Sequence, residues 1–207
     1  MRGTRTTVSE FIYLASQSPR RRQLLEQLGV RHELLLPDPD EDTEALEDLH
    51  PGEAPATYVR RVTELKLDAA LERLRRRGLP PAPVLCSDTT VARGRVVYGK
   101  PVDEADAVRM LRELAGTTHL VLTAVGVQSG RKRQLVVNDS RVTFAPLTLA
   151  QIRAYVASGE PIGKAGAYGV QGRAAAFIPR ITGSYTGIMG LPLYETVQLL
   201  RAAGVRF

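Results

Sequence analysis

Hydrophobic spacing along this chain switches repeatedly between short apolar runs and helical stripes, which predicts an alternation of strands and amphipathic helices. Phe11 to Ala15 is an apolar run of strand character. Ser18-Pro19 then reads as an N-cap followed by proline at the first helical position, where the missing N–H costs nothing, and Leu24, Leu25 and Leu28 give that helix a buried face. Val30 to Leu36 reads as a second strand, and Pro37 to Pro55 as an acidic loop without periodicity. Pro55 to Arg77 predicts a long helix with Tyr58, Val59, Val62, Leu65, Ala69, Ala70 and Leu74 on its apolar stripe and Gly78 just past its end. Val84 to Val91 is a strand interrupted by Ser87-Asp88-Thr89, with Arg95 to Tyr98 as a partner reached through a glycine turn. Further on come a helix from Glu104 to Leu114, a hairpin of His119 to Gln128 and Gln134 to Phe144, a helix from Leu149 to Ala157, glycine-rich chain, and a helix from Leu193 to Ala203. Helices, hairpin and crossovers in this order point to an α/β fold with a mixed central sheet flanked by helices.

Composition narrows the partners. The 207 residues are enough to bury about 70% of the unfolded surface in one compact domain. A formal charge of +6 fits an anionic partner, be it nucleotide, nucleic acid or membrane surface. Of the 28 basic residues only Lys66, Lys100, Lys132 and Lys164 are lysines, and three of these fall inside motifs. Cys86 is alone in an apolar run, so it reads as a packed thiol in a reducing compartment, and His32, His50 and His119 lack the spacing of a zinc site. No apolar run reaches the ~18 residues of a membrane span and Met1 to Glu10 lacks the apolar core of a secretory signal, so the expectation is a soluble, cytoplasmic protein that does not engage a membrane.

Candidate chemistry sits where charge is out of place. Arg20, Arg21 and Arg22 occupy the first turn of a helix, whose N-terminus already carries partial positive charge, and an anion such as phosphate would resolve the conflict. The plain alternative is a capped helix with solvated arginines. Asp88 interrupts a buried strand, so it needs either a partner or an open site, and it can serve as general base or as metal ligand. Asp38, Asp40, Glu41, Asp42 and Glu44 crowd one loop, which suits magnesium or manganese or, more plainly, solvent. Lys66 lies near the stripe of the long helix and Lys100 precedes Pro101 on a stiff turn, and both are suited to phosphate oxygens. The run Lys164 to Gly172 is rich in glycine, so its backbone can approach a ligand, and it delivers one glutamine, Gln171.

Ser16-Gln-Ser18-Pro-Arg20-Arg21 at the end of the first strand resembles the signature of the Maf family of nucleoside triphosphate pyrophosphatases. Asp40-Glu41, Lys66, Ser87-Asp88-Thr89, Gly99-Lys100-Pro101, Lys164 to Gly172, and Gly183-Ser-Tyr185 leading to Gly190-Leu-Pro192 match the same family in order. The resemblance implies an elongated, two-lobed fold around a central cleft, similar to inosine-triphosphate pyrophosphatases. It implies hydrolysis of a nucleoside triphosphate to monophosphate and pyrophosphate with Asp88 catalytic and a divalent Mg or Mn held by Glu41, Asp40 and Asp88. Ser16, Ser18, Arg20, Arg21, Lys66, Thr89, Lys100 and Gln171 would bind substrate.

The Tyr168-x-x-Gln171-Gly172 form is similar to the branch acting on dTTP and UTP rather than 7-methyl-GTP, with Gln171, Thr89 and Arg21 setting specificity. An amide offers one acceptor and two donors, which match the N3–H and adjacent carbonyl of uracil or thymine. Modified triphosphates remain alternative substrates. Gln23, Gly163 and Ala174 to Ala176 depart from the family pattern, the first two by removing acidic residues near the cleft. Met1 to Ser9 extends beyond the family start and is expected to be disordered, leaving residues 10–207 as a single Maf-like domain, with a homodimer left open. A nucleic-acid-binding protein using Arg73 to Arg77, Arg93-Gly-Arg95 and Arg131 to Arg133 is the competing reading. Aromatics are only 5% of the chain and none interleave these clusters, which removes the stacking platforms that reading needs.

Overall fold

The computed structural model describes residues 8–42 and 45–207. Glu44 and the first seven residues of the expected extension lie outside the described residues. Its strands are β1 (Ile12–Leu14), β2 (His32–Leu34), β3 (Val84–Arg93), β4 (Val96–Tyr98), β5 (Thr118–Ser129), β6 (Lys132–Thr143) and β7 (Arg180–Thr182). The helices are α1 (Pro19–Gln27), α2 (Pro55–Arg76), α3 (Glu104–Leu114), α4 (Leu149–Val156), α5 (Tyr185–Ile188) and α6 (Leu193–Ala202). The strands form one seven-stranded sheet in the order β2-β1-β3-β5-β6-β7, with β4 also on β3. β1 is parallel to β2 and β3 and the other pairings are antiparallel, so the sheet is mixed as the sequence predicts.

Pairing along β3 creates the cleft. One edge of β3 is occupied by β5 from Val84 to Ala92. β1 and β4 therefore share the other edge: β1 pairs at Val84 and Leu85, and β4 at Val91 to Arg93. Between them the edge from Cys86 to Thr90 has no partner strand among the described residues. β1 runs parallel to β3 and β4 antiparallel, so the C-terminal ends of both point into this gap and deliver Ser16 to Arg21 from one side and Gly99-Lys100 from the other. The core divides at the same place. Leu85, Val125 and Val127 pack with α1 and α6, whereas Val91 and Val121 pack with α3 and α4. The two lobes are thus the two ends of one sheet, with the polar segment of β3 between them.

α2 covers the sheet beside the gap, with Val59, Val62, Leu67 and Ala70 fully buried. Burial of each larger aliphatic side chain is worth about 1.5–3 kcal/mol. Gly126 on β5 permits this approach, since a Cβ there would stand 3.3 Å from Leu67 and 3.4 Å from Thr63. The buried stripe is rotated from the one predicted: Leu65, Ala69 and Leu74 are only partly buried, while Lys66 points inward and Arg73 is buried. Both of these cations have carboxylate partners, which makes their burial tolerable.

Gly94 and Gly130 adopt φ of +61° and +56° at the β3-β4 and β5-β6 turns, a conformation that glycine takes without strain. α3 starts at Glu104 as predicted because the Asp103 carboxylate accepts from the Asp106 N–H at 2.7 Å. α4 starts with a capping box between Thr148 and Gln151. β7 and α5 fall in the glycine-rich stretch, where elements of three and four residues are too short to show periodicity. Ser9, expected to be disordered, is instead bridged to Val205, with its N–H donating to Gly204 and its carbonyl accepting from Arg206. Among the described residues no helix is long and apolar enough to cross a membrane.

His119 on β5 is buried against Phe144 and Tyr168, and its Nε2 lies 2.8 Å from the Tyr168 hydroxyl. Burial lowers its pKa from 6.5 to about 4. The unfolded chain therefore takes up this proton at a higher pH than the folded one, and stability that is complete above pH 6.5 declines as the pH falls toward 4. The loss expected is about 3 kcal/mol. Urea titrations at pH 7 and pH 4 check this: His119→Asn should lose less stability across that window than the parent, and equal losses would reject the assignment.

Candidate active site

Side chains alternate along β3, so Cys86, Asp88 and Thr90 face α2 while Ser87 and Thr89 face the opposite side. Asp88 is 8% exposed and its Oδ1 accepts from Lys66 Nζ at 2.6 Å. The same ammonium donates to Glu47 Oε1 at 2.7 Å, and Glu47 accepts from Lys100 at 3.0 Å. Asp88, Lys66, Glu47 and Lys100 thus form one alternating string across the gap. Burial opposes the Lys66 charge, but Asp88 and Glu47 outweigh it and raise the ammonium's pKa. Burial likewise pushes the Glu47 carboxyl up, and Lys66 and Lys100 overcome it and hold it below its ordinary value. Glu47 itself is set in place by the Tyr58 hydroxyl, which donates to its carbonyl at 2.9 Å, and by Arg61, which holds Glu53 and the Asp48 carbonyl.

On the other face, Arg21 joins three walls: Nε donates to the Gly190 carbonyl at 2.8 Å, Nη1 to Ser16 Oγ at 3.1 Å and Nη2 to Thr89 Oγ1 at 3.3 Å. Thr123 Oγ1 donates its one proton to the Gly187 carbonyl at 2.7 Å, so in the 2.9 Å contact between the threonine hydroxyls Thr89 is the donor. The result is a directed chain from Arg21 through Thr89 and Thr123 to α5.

Ser18 does not cap α1. Its hydroxyl makes no capping bond, and its own N–H donates to Ser16 Oγ at 3.2 Å. The three arginines separate by role. Arg22 forms an exposed pair with Glu26, Arg21 is pinned, and Arg20 lines the cleft with no carboxylate partner among the described residues.

The cleft over this floor has a volume of about 780 Å³, within the ordinary range for small-molecule sites. Ser16, Ser18, Arg20 and Arg21 line it from β1 and α1, Lys66, Asp88 and Thr89 from its floor, and Lys100 and Gln171 from its rim. Arg20, Arg21, Lys66, Lys100 and Lys164 face Asp88, Glu47 and Glu160 there, which leaves a net positive charge for an anion. Gln171 is exposed, and its amide has no hydrogen-bond partner among the described residues.

Asp40 and Glu41, predicted as metal ligands, do not line the cleft. Glu41 accepts from Arg73 at 3.0 Å and from Arg76 at 2.6 Å, and Asp38 is bound by Arg76 and Arg77. The Arg73 bond above all, followed by Arg76, overcomes burial and brings the Glu41 carboxyl down to about 2. The arginines ending α2 thus engage the Asp38 and Glu41 carboxylates of this segment and leave neither of them free for a cation. Among the described residues no group of three or more His, Cys, Asp or Glu is arranged to hold a metal. The carboxylate that reaches Asp88's neighbourhood is Glu47, which the sequence reading passed over because nothing in the spacing separates it from the other acidic residues of that loop. The basic clusters of the nucleic-acid reading are engaged as well: Arg75 pairs with Glu72 and Arg133 with Asp68, while Arg93 and Arg95 donate to the Glu113 and Gly52 carbonyls.

Residues 11–203 match the family model for Maf-like protein. The dTTP/UTP pyrophosphatase of Albidiferax ferrireducens is 69% identical over 96% of this chain and 100% of that protein. The dTTP/UTP pyrophosphatase of Cupriavidus metallidurans is 61% identical over 97% of this chain and 100% of that protein. A solved structure of a nucleoside-triphosphatase, dITP/XTP pyrophosphatase, from Mycobacterium abscessus matches at 14% identity and a TM-score of 0.39, covering 92% of this chain and 96% of that one. With the family model spanning the sheet and every wall of the cleft, the chain belongs to the Maf-like family.

Proposed function

We propose that this chain hydrolyses dTTP and UTP, or modified pyrimidine triphosphates, to the monophosphate and pyrophosphate, clearing them from the cytoplasmic nucleotide pool. The observation that carries this reading is Asp88, held by Lys66 in a cleft with excess positive charge that the Gln171 amide, without a partner among the described residues, also lines. The names of relatives more than 60% identical over nearly the whole chain support the same substrates.

Arg20, Lys100 and the N–H groups at the start of α1 receive phosphate oxygens. Lys66 orients the Asp88 carboxylate, which accepts a proton from the attacking water. A new bond forms from that water to the α-phosphorus, the bond from the α-phosphorus to the bridging oxygen breaks, and the electron pair leaves with pyrophosphate. The cations around the cleft stabilise the charge that develops on the leaving group. Asp88 and Glu47 converge on one cationic point, the Lys66 ammonium, and two carboxylates plus substrate phosphates suffice for magnesium or manganese. Such an ion, held by Asp88 and Glu47, would neutralise phosphate charge and acidify water. Gln171 pairs with the N3–H and neighbouring carbonyl of the base.

The test is pyrophosphate release from a panel of canonical and modified triphosphates with magnesium, manganese or chelator. Metal-dependent turnover with dTTP and UTP ahead of the rest is the expected result, and a different preferred base would overturn the assignment. Gln171→Ala should lower the dTTP/GTP ratio by about 10- to 100-fold, corresponding to about 1–3 kcal/mol for a bidentate base contact. An unchanged ratio would remove Gln171 from base reading.

A further inference from the structure

The loop that carries Gln171 closes on Glu160, a residue that the proposed chemistry does not use. Glu160 follows α4, whose Tyr155 hydroxyl donates to Glu160 Oε1 at 2.9 Å. Its other oxygen accepts from the Arg173 N–H at 2.9 Å, two residues beyond Gln171. Lys164, inside the loop, donates to the Glu160 carbonyl. One residue therefore ties the start of the loop to its end.

Gly172 shows how close this fit is. A Cβ at that position would stand 2.2 Å from Glu160 Oε1 and 2.4 Å from Cδ, although the backbone φ of −102° is open to any residue. Glycine is needed there for the carboxylate and not for the turn. That carboxylate cannot simply swing aside, because its two oxygens are already committed to Tyr155 and Arg173. Burial pushes the Glu160 carboxyl up, but the Arg173 N–H, the Tyr155 hydroxyl and the Ala174 N–H outweigh it and keep it ionised and accepting.

We infer that Glu160 is the positioning residue of the base-reading loop: its carboxylate seats against Gly172 and Arg173 and so places the Gln171 amide, making Glu160 a determinant of pyrimidine preference. This rests on the proposed reading of Gln171. Gln171 has no protein partner of its own among the described residues, so its place depends on the backbone at its C-terminal side.

The experiment compares Glu160→Ala, Glu160→Gln, Gly172→Ala and the Glu160→Ala/Gly172→Ala double variant with the parent. It measures KM and kcat for dTTP and GTP, and amide hydrogen exchange over residues 170–174 without nucleotide. Glu160→Ala should reduce the dTTP/GTP ratio about tenfold, mainly through KM for dTTP, and speed exchange over the loop. Glu160→Gln should stay within about threefold of the parent, because its oxygen can accept from Arg173 while its nitrogen donates to the Tyr155 oxygen. Gly172→Ala should reproduce the loss, and the double variant should be no worse than Glu160→Ala, since the clash disappears with the carboxylate. Equal losses on both nucleotides with an unchanged ratio, or additive losses in the double variant, would overturn the inference and leave the proposed function standing. A parent enzyme without pyrimidine preference would overturn the proposed function and the inference with it.

Discussion

Asp88→Asn should lower the rate of pyrophosphate release by about 10²–10⁴-fold, the usual contribution of a positioned general base. The substitution is nearly isosteric, and its amide oxygen can still accept from Lys66, which Glu47 also holds. The melting midpoint should therefore move little while the group that takes the proton is gone. Varying magnesium separates the two roles of this carboxylate. A deficit that persists at saturating metal assigns Asp88 as the base, and one that raised metal repairs assigns it as a ligand. A folded variant with the parent's activity would reject both.

How far this site could be read from sequence depends on what kind of information each part needs. α3 and α4 were legible to within a residue because a cap or capping box coincides with a helical stripe, as at Asp103 and Thr148. The polar break in β3 was legible because Asp88 sits in an apolar strand. The edge from Cys86 to Thr90, unpartnered among the described residues, was not, since it follows from β1 and β4 sharing one edge of β3, a matter of pairing that composition does not encode. It is this edge that turns the scattered segments ending in Arg21 and Lys100 into one cleft.

Glu41 and Glu47 belong to one acidic stretch, and only the position of the arginines on α2 decides between them: Arg73 and Arg76 take Glu41, and Lys66, further back along the helix, takes Glu47. The predicted stripe of α2 counted apolar residues alone, so it overlooked that Lys66 and Arg73 could be turned inward by carboxylates waiting there. Ser16 and Ser18 were distinguished only by the fold, which gives Ser16 to Arg21 and leaves α1 uncapped toward the cleft.

Lys66→Met should be the most damaging single change to this arrangement. The side chain keeps its length and can lie along α2, but the ammonium that donates to two carboxylates within 2.7 Å disappears. Asp88 and Glu47 are then left partly buried without their common cation, and breaking such a network by removing one partner costs about 3–5 kcal/mol. Activity should fall by more than about 10²-fold, because Asp88 loses the group that orients it and the phosphates lose a positive charge. Magnesium provides the discriminating measurement. If Asp88 and Glu47 are the carboxylates that hold the ion, saturating magnesium should raise the melting midpoint of the Lys66→Met variant more than that of the parent, since the ion then fills the place of the lost charge. A variant as stable as the parent and indifferent to magnesium would separate Glu47 from the catalytic floor and return it to a structural role beside Tyr58 and Arg61.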